Sequence, residues 1–168
     1  CRRQLRDELG LPPLHQLALG VDRLDYTKGI VERLQAITAN NVDFETDAGQ
    51  LVYVGEPQAL GESDPAQAIA IVIGEDEPQS QTAGALLVTT PLEICALAQV
   101  APEDPWTPVE AVLADIKRAM EVADQSFGGL VANAKRGSTR VISREPGATT
   151  SGLAITYRLT WKEGWGLP

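Results

Sequence analysis

The sequence predicts an α+β fold in which a mainly antiparallel sheet is packed by helices on one face. Three runs predict it. Residues 153–161 set Leu, Ile, Tyr, Leu and Trp at alternate positions with smaller or polar side chains between them, as suits a strand with one buried and one solvated face. Residues 68–73 (AIAIVI) are apolar without interruption, which suits a strand covered on both faces. The segment opening at Thr107-Pro108-Val109-Glu110 sets Val109, Val112, Leu113, Ile116 and Met120 at helical spacing, so one helix has an apolar stripe to lay on that sheet.

Taken in chain order, residues 2–9 (RRQLRDEL) read as a short charged helix stopped by Gly10, Pro12 and Pro13. Residues 17–21 read as a strand. A second helix is expected at about 29–38, where Ile30, Val31, Leu34 and Ile37 share a face and Asn40 and Asn41 end the run. The pattern then turns to strands. Residues 51–54 (LVYV) form a short one, and a turn-rich segment with Gly55, Pro57, Gly61 and Pro65 leads to the strand at 68–73. An acidic turn is expected at 75–81. A long extended stretch follows at 85–97, with Leu86, Val88, Leu92 and Ile94 on one side; Pro91, which has no N–H for a ladder bond, makes it an edge strand or a bulge.

For the helix at Thr107, the Thr107 hydroxyl reads as the N-cap, Pro108 as the first helical residue and Glu110 as the capping-box carboxylate. Asp115, Lys117, Arg118 and Glu121 are expected in water. Gly128 and Gly129 mark a loop, residues 139–144 a strand, and Pro146-Gly147 a turn. In the last strand Leu153, Ile155, Tyr157, Leu159 and Trp161 take the buried face, while Ala154, Thr156, Arg158, Thr160 and Lys162 take the solvated one.

Size and composition narrow the classes. The 168 residues fit one domain with one sizeable core. A hydrophobic share of 43% with 22% charged residues is ordinary for a globular domain. No apolar run approaches the ~20 residues of a membrane span. The net charge of −9 argues against a general nucleic-acid-binding surface, since phosphate binding needs clustered Lys and Arg. Residues 1–35 hold six basic and five acidic side chains, and residues 36–168 eight and eighteen, an asymmetry that hints at two origins. Cys1 and Cys95 make no disulfide framework, so an intracellular, reducing setting is expected. The single methionine, Met120, lies inside a helix, and the expectation is a chain truncated at its left end.

One motif is compact. Residues 19–30, LGVDRLDYTKGI, with the preceding LRDELGLPPLHQLA, resemble the trehalose-phosphate synthase family of retaining glycosyltransferases. The resemblance implies that Arg23 and Lys28 hold the diphosphate of a UDP-glucose donor whose glucosyl group passes to glucose 6-phosphate. Two fixed cations beside a helix start would stabilise the charge developing on the leaving diphosphate. The match stops near Leu34, and neither the acceptor-binding half nor the downstream acidic motif is seen, so the motif reads as stranded without its partners.

From about Ile30 to Pro168 the order of phrases is IVERLQAI, VYVGEP, an apolar strand ending in GEDEP, a long extended segment, DPWTPVEAVLADIKRAM, GGLV and AITYRLTW. This order is similar to the tail-terminator or tail-completion proteins of long-tailed phages and prophages. The resemblance implies a tail-terminator-like fold and a non-enzymatic, minor tail protein: a ring, usually hexameric in that family, that ends the tail tube and joins it to the head-side neck. It implies self-association, tail-tube and neck partners, DNA only by passage through the lumen, no cofactor, no metal, no membrane, and a place in the virion tail after assembly in the bacterial cytoplasm. The expected division is a glycosyltransferase-like fragment or appendage at 1–29 and a tail-terminator-like domain at 30–168.

Ring formation calls for interface side chains. The candidates are Trp106, Trp161 and Trp165, each equally readable as core, and the basic residues Arg140 and Arg144. Lys135, Arg136, Arg140 and Arg144 form a local basic patch, readable as a solvated hairpin or as a surface for an acidic neighbour or for DNA in a lumen. Other groups read plainly. His15 is a solvated loop histidine without a base partner, and Glu75-Asp76-Glu77 lacks calcium-loop spacing. Cys95 is a small core residue, and Gly128-Gly129 lacks the pattern of a phosphate cradle.

Overall fold

The computed structural model describes residues 22–82, 85–121, 131–143 and 147–164. The expectations for 2–9, 17–21, His15, Gly128, Gly129 and Pro146 lie outside them. The elements are α1 (Asp22–Gln35), a single 3-10 turn (Ala48–Gln50), β1 (Val52–Val54), β2 (Gln67–Ile73), β3 (Glu77–Thr82), β4 (Ala85–Gln99), α2 (Thr107–Glu121), β5 (Asn133–Ile142) and β6 (Thr150–Gly164). One six-stranded sheet runs in the order β1-β2-β4-β6-β5, with β3 also paired to β4. Among the described strands only β1 and β2 pair in parallel, so the α+β reading with a mainly antiparallel sheet holds.

The spine is the pair β4 and β6, in register from Ala85↔Gly164 to Gln99↔Thr150. At the rise of an antiparallel strand such a pair is about 50 Å long. Along its other side β4 takes two partners end to end: β2 as far as Ile73↔Leu92, then β3 from Glu77↔Thr89. Pro91 stands at the break between them. The N–H of Gly74 donates to the Pro91 carbonyl at 2.8 Å. Because N–H and C=O of one strand residue face the same neighbour, the donor that Pro91 lacks points at this break. The proline thus sits in an interior strand and interrupts the partner strand instead of marking an edge. The expected turn at 75–81 shrinks accordingly to the junction between β2 and β3.

Thr90 pins the junction from the other face of the sheet. Its hydroxyl donates to Asp76 Oδ1 at 2.6 Å and accepts the Trp161 indole N–H at 3.0 Å.

Both helices cover one face. Ile30, Leu34, Val112, Ile116, Ile69, Ile71, Ile94 and Ile155 are fully buried there, within one cluster. Burying each such side chain contributes roughly 1.5–3 kcal/mol. The α2 stripe is as predicted. α1, however, begins at Asp22 and ends at Gln35, earlier at both ends than the apolar spacing indicated, and it runs unbroken across residues 29 and 30. Its polar first turns carry no apolar period to read, but Lys28 and Glu32 form an i,i+4 pair at 3.8 Å that suits a helix. Its end is set by Gly49, whose N–H donates to the Ile37 carbonyl at 2.9 Å. A Cβ on Gly49 would lie 2.5–2.8 Å from the carbonyl oxygens of Ile37, Gln35 and Leu34, so only glycine allows this approach.

Two expectations for α2 are corrected. The carbonyl accepting the first helical bond belongs to Trp106, from Glu110 N–H at 2.9 Å, so Thr107 is inside the helix. The capping oxygen is instead Asp104 Oδ1, 3.1 Å from the Thr107 N–H. That bond favours the ionised carboxylate and holds the Asp104 carboxyl below its usual range. Asp115 is not in water but fully buried. Its Oδ2 accepts the N–H groups of Glu45 (3.0 Å) and Thr46 (2.8 Å), and its Oδ1 pairs with Arg118 at 3.1 Å. Arg118 also donates to the Asp43 carbonyl, so α2 holds the loop at 43–46 by its backbone.

The opposite face is half covered. The loop at 55–66 lays Leu60 against Ala68, Ala70, Cys95, Leu97 and Ala154. It is fixed by Leu60 N–H to Thr150 Oγ1 (3.0 Å) and by Gln99 Nε2 to the Gly61 carbonyl (2.9 Å). This accounts for the burial of β2 on both sides, and it puts Ala154 in the interior, where water was expected. Beyond the loop, among the described residues, that face is open, with Arg158 and Lys162 exposed on it.

Candidate assembly surface

The open face is built by register. Along β6, Thr156, Arg158, Thr160 and Lys162 alternate with the buried Ile155, Tyr157, Leu159 and Trp161, as the sequence pattern required. β4 brings Glu93 opposite Thr156, Pro91 opposite Arg158 and Thr89 opposite Thr160. The two threonine hydroxyls of the last pair are 3.3 Å apart.

β5 contributes through an irregularity. Lys135 pairs with Arg158 and Arg136 with Tyr157, but then Thr139 pairs with Ile155, so Gly137 and Ser138 together oppose Thr156. The bulge reverses the alternation. Lys135 and Arg140, five residues apart and nominally on opposite faces, consequently share the open one. Arg136 goes to the helix side, where its Nη1 is 3.1 Å from both carboxylate oxygens of Glu121. Glu121 also accepts the Tyr157 hydroxyl at 2.9 Å. Burial, and then Glu121, push the Tyr157 phenol above its ordinary range.

The predicted basic patch therefore splits. Arg140 is exposed and ion-paired with Glu93, Arg136 belongs to the Glu121 cluster, and Arg144 lies outside the described residues. What replaces the patch is a cross-strand group, Lys135, Arg158 and Lys162, all exposed and, among the described residues, without an acidic partner. The alternation of β6 already placed Arg158 and Lys162 together; the meeting with Lys135 depends on strand pairing, for which the sequence carries no local signal.

The tryptophans separate in the same way. Trp106 is 39% exposed just before α2, while Trp161 is 8% exposed and belongs to the core, presenting little to a partner. Trp165 lies outside the described residues. Of the two phosphate-binding candidates, Lys28 is exposed on α1 and paired with Glu32, and the side chain of Arg23 is outside the described residues. Positions 23 and 28 of one continuous helix are about 140° apart around its axis, so the helix itself does not bring them to one side.

Burial, reinforced by the Glu93 carboxylate, pushes the Cys95 thiol up to about 12, so the nucleophilic thiolate is scarce at neutral pH. Among the described residues no three His, Cys, Asp or Glu side chains gather as a metal site, and Glu75, Asp76 and Glu77 are exposed. Among the described residues no helix is long and apolar enough to cross a membrane.

No family model matches the chain. In sequence it is 48% identical over 52 residues to the trehalose-6-phosphate synthases of Mycobacterium sp. strains KMS and MCS, and 46% identical over 52 residues to that of strain JLS. The match takes in 31% of this chain and 10% of each of those proteins, so the chain spans about a tenth of the length of the curated relatives it matches. It is also longer than the run ending near Leu34 that carried the motif. In structure the chain is similar to one in the virion of a native gene transfer agent (GTA) particle, with a TM-score of 0.53 at 14% identity, over 80% of this chain and 92% of that one. At that identity the likeness is one of fold.

Proposed function

We propose that this chain is a structural subunit of a phage-like particle, one protomer of a ring that terminates the tail tube and joins it to the head-side neck. The observation that carries the reading is the shared fold with a chain of the gene transfer agent virion, which extends over nearly all of that chain. The order of sequence phrases from Ile30 onward supports it independently, because that order is itself similar to tail-terminator proteins. A ring subunit needs edges and patches in place of a cleft, and the open face with its cross-strand cations is such a patch. The partners under this reading are further copies, six to a ring as in the family it resembles, together with tube and neck proteins; DNA only passes through.

Light scattering coupled to size-exclusion chromatography tests it. A particle several times the 18.0 kDa protomer, annular in negative-stain images, is the expected result. A strict monomer at every concentration overturns it.

The second reading, a partial trehalose-phosphate synthase, is favoured by one observation, the 52-residue identity. It assigns Arg23 and Lys28 to the donor diphosphate of UDP-glucose. Calorimetry with UDP-glucose discriminates: binding abolished by Arg23→Ala or Lys28→Ala would reverse the ranking, and absence of binding removes this reading. The division into an appendage at 1–29 and a ring domain at 30–168 belongs to the first proposal, with α1 running through both segments.

A further inference from the structure

Charge divides along this chain, and the sheet turns that division into two unlike edges. Residues 34–116 contain fourteen acidic side chains and no Lys or Arg, whereas residues 117–168 contain eight basic and four acidic ones. The net values are −14 and +4, with +1 from residues 1–33, which returns the total of −9. The topology sends β1, β2 and β3, all from the acidic segment, to one side of β4, and β6 and β5, both from the basic segment, to the other.

On the acidic side Glu56, Glu75 and Glu77 are exposed, after β1 and at the junction of β2 and β3. Glu77 pairs in register with Thr89 and so belongs to the open face. On the basic side Lys135, Arg158 and Lys162 are exposed on that same face, and the sheet between β3 and β5 is three strand spacings, about 14 Å, wide. Among the described residues each side ends in a strand with no further paired neighbour, an edge of the kind that can take another contact.

We propose that these edges are the two halves of one repeated contact: the cationic β5–β6 edge of one copy seats against the anionic β1–β3 edge of a second copy. The inference rests on the ring reading above and names its interface. Unlike edges attract and like edges repel, which orients neighbours head to tail, the arrangement that closes into a ring when its rotation permits. A polyanion fits the cationic edge less well, because Glu77 and Glu93 share its face and the whole chain carries −9.

Light scattering of the full chain at 0.1 M and 1 M NaCl, where the screening length falls from about 10 Å to about 3 Å, is the first arm. Assembly is expected to weaken at least about tenfold in high salt. The second arm uses two double variants, Lys135→Glu with Arg158→Glu, and Glu75→Lys with Glu77→Lys, checked for folding by circular dichroism. Each alone should remain monomeric at 0.1 M salt, and an equimolar mixture should reassemble, because alternating copies restore every contact. A wild-type chain that is monomeric at both salts sinks the ring reading itself, and this interface with it. Wild-type assembly indifferent to salt and to both reversals sinks the interface alone, as does a mixture that fails to reassemble. Duplex DNA retained by the wild type and lost on Lys135→Glu with Arg158→Glu would assign the face to a polyanion and overturn the proposal.

Discussion

Single side chains on α2 set much of the local order. Asp115 is the clearest, since one fully buried carboxylate holds two backbone N–H groups and Arg118. Replacing it by Ala strands those donors, and the expected loss is about 3 kcal/mol in urea denaturation. Asn keeps one oxygen for the two N–H groups, so Asp115→Asn should fall between Ala and wild type; equal stability of all three would refute the role. The sequence pointed to water here because Asp115 lies one position before the apolar Ile116 with cations following, and nothing local shows that the 43–46 loop returns over it. Tyr157 carries a pH consequence. Its phenol is raised in the folded state by burial and by Glu121, so its contribution is complete below the unfolded value near 10 and is lost as pH climbs from there through the raised folded value. Melting temperatures taken between pH 8 and 11 should fall more steeply for wild type than for Tyr157→Phe, and parallel curves would count against the assignment.

Among the elements, the β2–β3 junction is where local pattern and tertiary pairing meet. A Cβ on Gly74 would stand 2.6 Å from Pro91 Cγ and 3.1 Å from its carbonyl oxygen. Gly74→Ala must therefore push the two strands apart, at a cost of about 1–3 kcal/mol in thermal or urea melts; a variant as stable as wild type would mean the junction yields freely. The proline was legible as an irregularity, but whether it lay at an edge or inside the sheet depended on how many strands flanked it. β5 shows the same limit. Its bulge at Gly137 and Ser138 decides which of Lys135, Arg136 and Arg140 share a face, and a run of exposed polar residues has no hydrophobic period from which to read such a shift. The apolar stripe of α2 and the alternation of β6, by contrast, are periodic over enough residues to specify both element and face.

Across the molecule, one sheet is shared by both buried clusters, through β2, β4 and β6. Unfolding is therefore expected to be a single transition, with near-ultraviolet circular dichroism from the buried Trp161 and the far-ultraviolet signal melting together; separated midpoints would show that the two faces fail independently. The fold class, the inner faces of α2 and β6, and the segregation of charge along the chain all follow from amino-acid order alone, because periodicity and composition are local quantities. The burial of Asp115, the break that Pro91 faces in its neighbour, and the meeting of Lys135 with Arg158 and Lys162 opposite an acidic edge come from tertiary pairing. They arise from which strands lie side by side and in what register, and residues far apart in the chain leave no mark of their pairing in either one's neighbourhood.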